Sequence, residues 1–183
     1  MVELKKRGGI ILLIRPLERQ DLKDVHSVHN EQDTMAYWFA EPYESYAELE
    51  ELYNRHIHDK HERRFVIEEA GEFAGVVELV DIDYIPRTCE IQVIVLSKFR
   101  GRKIAQKAME SALEHAFYIL NMHKVFLYVD TVNQPAIHVY KKLGFQLEGT
   151  MKEQFYARGT YRDSYFMGIL KRDFIKSHQS NEK

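Results

Sequence analysis

The chain has 183 residues, a formal net charge of −2, and 45% hydrophobic and 12% aromatic residues. That composition supports one packed domain and excludes both a disordered chain and one biased by charge toward nucleic acid. Cys89 is the only cysteine, which excludes an intramolecular disulfide or a cysteine-based zinc site and suits a reducing cytoplasm.

The N-terminus imitates a signal peptide, with Lys5-Lys6-Arg7 followed by the apolar run to Ile14. Arg15-Pro16 ends that run without a small-residue cleavage site, so Ile10 to Ile14 reads as a first strand. No stretch approaches membrane-spanning length, so no membrane partner is expected. Arg15 to Asp21 leads into a helix carrying Leu22, Val25 and Val28 that ends near Asn30. The segment from Glu31 to Glu62 then holds nine acids against two fixed bases, Arg55 and Lys60. Pro42 and Ser45 open a second helix there. Its apolar stripe is Tyr46, Leu49, Tyr53 and Ile57, with Glu48, Glu51 and Arg55 toward solvent.

Arg64 to Glu69 and Phe73 to Asp81 read as two strands joined by a tight turn at Ala70-Gly71-Glu72. A loop with Pro86 leads to Glu90–Leu96, an apolar, β-branched run of strand length. A basic loop, Ser97 to Lys103, runs from it into a helix with Ile104, Ala108, Met109, Ala112, Leu113, Ala116, Phe117 and Leu120 on one face. Arg100, Arg102 and Lys103 therefore crowd a helix N-terminus that is already partly positive. The placement suits a docked anion such as a phosphate, and also reads as a solvated basic loop. Lys124 to Val129 is another strand. Asn133 is a good N-cap with Pro135 in the first turn, and Ala136, Ile137, Val139, Tyr140 and Leu143 follow at helical spacing until Gly144 stops the helix. Phe145 to Met151 and Tyr161 to Leu170 form a last hairpin-like pair, and from Lys171 onward the chain is a short helix or a polar tail.

Two stretches carry a resemblance. Arg100-Gly101-Arg102-Lys103-Ile104-Ala105 resembles the first signature of the GNAT superfamily of N-acetyltransferases, and Asn133 through Phe145 resembles the second. Tyr37-Trp38-Phe39, Glu41-Pro42-Tyr43-Glu44, His56-Ile57-His58-Asp59, Glu62 to Val66 and Val77 to Val80 are similar to the bacterial spermidine N-acetyltransferase subfamily. The resemblance implies an α/β GNAT fold in a single domain over residues 1–183: a mixed, mostly antiparallel twisted sheet with helices on both faces. It implies acetyl-CoA as cosubstrate and spermidine or spermine as acceptor. Val93, Ile94 and Val95 would pair with the pantetheine arm, Arg100, Gly101, Arg102, Lys103, Ile104 and Ala105 would cradle the pyrophosphate, and Asn133 and Ala136 would lie along the cofactor. Tyr140 would touch it as the general acid. Met35, Glu48, His56, Ile57, His58 and Asp59 match a polyamine effector site, with Glu41 beside it, and Glu90, Ile91 and Gln92 match acceptor-side contacts. The subfamily forms large homo-oligomers, dodecamers, with effector sites between subunits.

Two residues depart from the pattern. Lys103 stands where the family has Gly, a residue that lets backbone N–H groups close on phosphate. Ala40 stands where the family has Glu. No metal is expected, and His56 and His58 on a helix would point their rings apart.

The residues also bear a chemical reading of their own. A tyrosine, with a pKa near ~10, can protonate a departing thiolate of pKa near ~8.5. At its spacing Tyr140 also reads as a core aromatic. Glu90 and Asp81 are the candidates for the base that takes the amine proton, and Glu90 reads equally as a solvent-facing strand residue. Three alternatives remain: an acetyltransferase for another amine, such as a protein N-terminus or an aminoglycoside; a polyamine-binding sensor with weak catalysis; and a nucleic-acid module, which one basic loop without stacking aromatics hardly supports.

Overall fold

The computed structural model describes residues 2–3, 12–31, 35, 37, 44–157 and 159–180, with the backbone alone for 2–3 and 177–180. Among the described residues eight strands form one sheet: β1 (Val2–Glu3), β2 (Leu12–Pro16), β3 (Arg63–Glu69), β4 (Glu72–Asp83), β5 (Thr88–Val95), β6 (Lys124–Asp130), β7 (Gln146–Ala157) and β8 (Thr160–Leu170). Their order across the sheet is β1-β2-β3-β4-β5-β6-β8-β7. Every neighbouring pair is antiparallel except β5 with β6. The α-helices whose bounds fall among the described residues are α1 (Leu22–His29), α2 (Tyr46–His56), α3 (Ile104–Glu114), α4 (Gln134–Leu143) and α5 (Lys171–Ser180).

Strand alternation sorts the side chains into two layers. Cys89 and Ile91 of β5, with Val125, Leu127 and Val129 of β6, join Ala108, Met109, Ala112 and Leu113 of α3 and Ile137 of α4 in the larger core. Val76 of β4 and Ile94 of β5 point the other way, onto Leu22, Val25 and Val28 of α1 and Leu49 of α2. The expected helices on both faces are therefore present, and Glu90 and Gln92, by alternation with Ile91, face the α1–α2 side. Two glycine-like features shape this centre. Gly75 backs onto Ile94, whose carbonyl oxygen lies 2.0 Å from where a Cβ would be, so only glycine fits. The β4–β5 register slips between Val80 and Asp83, and Asp81 takes a left-handed φ of 49° in that bulge.

Several boundaries differ from the sequence reading. The first long strand runs through Arg15 to Pro16 instead of ending at Ile14, because Arg15 pairs with Val66 and its guanidinium holds Asp21 at 2.7 Å and Glu68 at 2.7 Å. Ile10 lies outside the described residues. A 3-10 turn at Arg19–Asp21 precedes α1. Ser45 caps α2 in a reciprocal box with Glu48, whereas Ile57 lies past the helix end and is 54% exposed, so it leaves the apolar stripe. After Glu114 the α3 cylinder continues as one π-helical turn, His115–Ile119, which apolar spacing does not reveal. The C-terminal segment is a helix and not a polar tail: Phe174 is fully buried, with its ring centroid 5.1 Å from that of Phe117.

Deleting that ring leaves a cavity in the larger core. Phe174→Ala is expected to cost about 3–5 kcal/mol of unfolding free energy, measured by urea unfolding; a loss under about 1 kcal/mol would mean that α5 is dispensable to the core.

Candidate active site

The site begins with strands that part. β5 and β6 are paired only at Thr88↔Lys124, Cys89↔Val125 and Glu90↔Phe126. Beyond that point β5 stays paired with β4 as far as Val95, and β6 stays paired with β8 as far as Asp130. The facing edges of β5 and β6 thus carry peptide groups that no ladder between them satisfies, an arrangement suited to an extended, amide-bearing ligand. A cleft of about 560 Å³ opens there. One wall is Val93, Ile94 and Val95; the floor loop contributes Arg100, Gly101, Lys103, Ile104 and Ala105; the other wall is Asn133, Ala136 and Tyr140.

The loop is built to present helix N–H groups. A 3-10 turn at Ser97–Phe99 buries Phe99, and Gly101 (φ 79°) and Lys103 (φ 63°, ψ 17°) both take the left-handed conformation. The first helical bond of α3 runs from the Lys107 N–H to the Lys103 carbonyl at 3.1 Å, so the donors before it face the cleft mouth. Lys103 therefore keeps the turn that a glycine makes without strain and adds an exposed ammonium to it. Arg102 turns elsewhere. It donates at 2.9 Å to the buried carboxylate of Glu69 and stacks over Phe99, with its Cζ 5.5 Å from the ring centroid, so it does not line the cleft.

The second wall is fixed by caps. The Asn133 side chain accepts from the Ala136 N–H at 3.3 Å, and α4 ends at Gly144 (φ 96°). Asp130, whose side chain is fully buried, accepts from Arg162 at 2.8 Å and from the Val132 N–H at 3.1 Å, which pins the turn that delivers Asn133. Tyr140, seven residues on, shares the Asn133 face and reaches the cleft. Burial pushes its phenol up to about 12, so it is protonated throughout the physiological range.

Across the sheet a buried carboxyl stands at the point where the strands part. Glu90 is 7% exposed and accepts from Gln92 Nε2 at 2.9 Å. Burial holds its carboxyl above the usual range, and the Asp81 charge adds to that. On the same side a second cavity of about 470 Å³ lies between α1, α2 and the sheet. His29, His56, Ile57, His58 and Asp59 line it, with Lys60, Glu62, Arg63, Arg64 and Glu78. Arg64 holds Glu62 at 2.8 Å and Glu78 at 2.7 Å.

Most of the anticipated residues converge. Val93, Ile94, Val95, Arg100, Gly101, Lys103, Ile104, Ala105, Asn133, Ala136 and Tyr140 share the first cleft, and His56, Ile57, His58 and Asp59 share the second cavity. Glu48 instead accepts from the Ser45 N–H at 2.8 Å within the capping box of α2, and Met35 is buried away from the lining of that cavity. Glu41 and Ala40 lie outside the described residues. The sequence reading missed His138 and Lys142, spaced i, i+4 on the cleft side of α4, and the charged set Glu62, Arg64 and Glu78. The pair lies five and nine residues past Asn133, off its helical face, so spacing from that cap does not find it, and strand pairing alone brings Glu78 to Glu62 and Arg64. Among the described residues no group of three His, Cys, Asp or Glu side chains could hold a metal ion.

A GNAT acetyltransferase-domain model matches residues 12–146, and the chain belongs to that family. It is 44% identical over 167 residues to a spermidine N(1)-acetyltransferase of Escherichia coli K12, covering 91% of this chain and 90% of that protein. It is 46% identical over 165 residues to the enzyme of the same name from Vibrio cholerae, covering 90% and 95%. A crystal structure of the spermidine N-acetyltransferase from Vibrio cholerae with CoA and spermine superimposes with a TM-score of 0.87, at 45% identity, over 90% of this chain and 98% of that one. Acetyl-CoA is thus the cosubstrate, and the unpaired β5 edge, the N–H groups of α3 and the cations at the cleft mouth fit an amide-bearing, phosphorylated molecule.

Lys103 is the test of that fit. Lys103→Gly relieves the left-handed side chain and is expected to raise unfolding free energy by about 1 kcal/mol. It also removes one exposed cation, which should weaken acetyl-CoA binding about 2- to 5-fold at low salt and less at high salt. Urea unfolding and titration calorimetry at two salt concentrations check both; unchanged affinity at low salt would mean that the ammonium makes no contact with the ligand.

Proposed function

We propose that the protein is a polyamine N-acetyltransferase, acting on spermidine or spermine by direct attack in a ternary complex. The observation that carries the reading is the parting of β5 and β6, with Tyr140 on one wall and the buried Glu90 on the opposite sheet face. Identities of 44% and 46% to spermidine N(1)-acetyltransferases over most of the chain support the acceptor class. When bound, acetyl-CoA supplies the thioester carbonyl that the amine attacks.

The chain's own groups then have defined tasks. Val93 and Val95 offer edge peptide groups that orient an extended arm, and the α3 N-terminus with Arg100 and Lys103 holds phosphate. Glu90, through water, takes the proton of the incoming ammonium; its raised pKa makes it a stronger base than an ordinary carboxylate. Tyr140 protonates the departing thiolate. The burial that raises its pKa to about 12 also disfavours a free thiolate beside it, so the two groups stay matched. The cavity lined by His56, Ile57, His58 and Asp59 serves as a polyamine effector site, with homo-oligomerisation, a single domain and a cytoplasmic location completing the reading. Among the described residues no helix is long and apolar enough to cross a membrane. The left-handed turn at Lys103 keeps the cradle geometry, which favours a working enzyme over a sensor that has lost catalysis.

CoA release with acetyl-CoA and spermidine tests the function. Wild type is expected to turn over, and Tyr140→Phe to lose about 10²-fold in kcat with little change in KM. Inactivity on every polyamine, with turnover of a protein N-terminus or an aminoglycoside, would transfer the reading to another amine.

Glu90→Gln is expected to lower kcat about 10- to 100-fold. Its folded carboxyl is raised, so the stability it lends is present below the ordinary carboxylate pKa and lost as pH rises through the folded value. The variant should therefore melt higher than wild type at pH 8, with the difference shrinking toward pH 4. A pH-independent difference would show that Glu90 does not resist ionisation.

A further inference from the structure

An aromatic cluster on the acceptor face of the sheet has no part in the chemistry above. Val125, Leu127 and Val129 of β6 and Met167 of β8 belong to the larger core, so alternation turns Phe126, Tyr128 and Phe166 to the face shared with Glu90. Tyr128 is the register partner of Phe166, and Phe126 is the register partner of Glu90. The ring centroids lie 5.3 Å apart for Phe126–Phe166, 5.3 Å for Tyr128–Phe166 and 6.0 Å for Phe126–Tyr128. Three rings therefore form one continuous wall that starts beside the candidate base. None belongs to the α1–α2 cluster that covers Val76 and Ile94, and each is only partly buried.

One cation of the chain itself already lies against the wall. At its outer end Lys124 Nζ sits 5.2 Å from the Phe166 centroid while paired with Glu148. At its inner end burial raises the Tyr128 phenol, and the charges of Glu90 and Asp81 add to that. A long polyammonium whose reacting amine lies at Glu90 must lay its remaining length along this face. Its methylenes need apolar surface and its distal ammonium groups need π faces; the three rings provide both.

We propose that Phe126, Tyr128 and Phe166 form a subsite for the non-reacting arm of a polyammonium acceptor and select it over amines without a distal cation. The proposal rests on the polyamine reading above. A monoamine reaches the same reacting position but leaves the wall empty, so the subsite acts on KM for polyamines and not on the chemical step.

The test is steady-state acetylation of spermine, spermidine and a primary alkyl monoamine by wild type, Tyr128→Leu, Phe166→Leu and Tyr128→Phe. The leucine variants are expected to raise KM for both polyamines roughly 3- to 30-fold, with kcat and the monoamine's kcat/KM within about twofold of wild type. Tyr128→Phe, which keeps the ring, should behave as wild type. Should a leucine variant fail to fold, Phe166→Trp, which enlarges the π face, is expected to lower KM for spermine. Unmoved polyamine KM values, or an equal shift for the monoamine, would overturn the subsite while leaving the enzyme's function intact. A wild type that acetylates no polyamine would overturn the functional reading and the subsite together.

Discussion

The architecture depends on a pair of parallel strands that separate after three residue pairs. β5 remains tied to β4 and β6 to β8, so the sheet does not fray; it opens as a wedge between two rigid halves. The wedge places unpaired peptide groups at the middle of the sheet, where they would be costly if nothing occupied them. Both halves are stiffened at the point of separation. Gly75 lets β4 lie close against Ile94, and the Asp130–Arg162 pair anchors the turn beyond β6.

The wedge also divides the chemistry. On the side of α3 and α4 the groups are cationic or hydrogen-bond donors: the α3 N–H groups, Arg100, Lys103 and Lys142. On the side of α1 and α2 the Glu90 carboxylate and the rings of Phe126 and Tyr128 stand beside the last β5–β6 pair, with the mixed set Glu62, Arg64 and Glu78 in the cavity beyond. On the function proposed above, an anionic cosubstrate and a cationic acceptor approach from opposite faces and meet in the gap. Electrostatics of this kind chooses side and orientation more than it adds affinity.

Lys103 illustrates how a departure from a family pattern can leave geometry intact. The residue adopts φ 63°, a conformation that glycine takes freely and lysine takes at a cost of about 1–2 kcal/mol. The surrounding turn, with Gly101 also left-handed and Phe99 buried beneath, is fixed strongly enough to impose it. The substitution changes the charge of the cradle and leaves its path unchanged.

Local pattern alone determined the strand alternation of Glu90 to Val95, the apolar face from Ile104 to Phe117, the Asn133 cap and the Gly144 stop. Each depends on neighbours within one or two turns or on the two-residue strand period, which is why each was legible. The family signatures, read from the same stretches, pointed to the cleft residues before any packing was known. Tertiary structure decided the rest. Arg102 belongs to Glu69, 33 residues away, and not to the cleft. Glu90 is a buried carboxyl with a raised pKa because β4 and β6 flank it, and Glu78 meets Arg64 only through the β3–β4 ladder. The aromatic wall joins β6 to β8 across a register no local spacing encodes. Periodicity says which face a side chain takes on its own strand; only the pairing of strands distant in sequence says what shares that face.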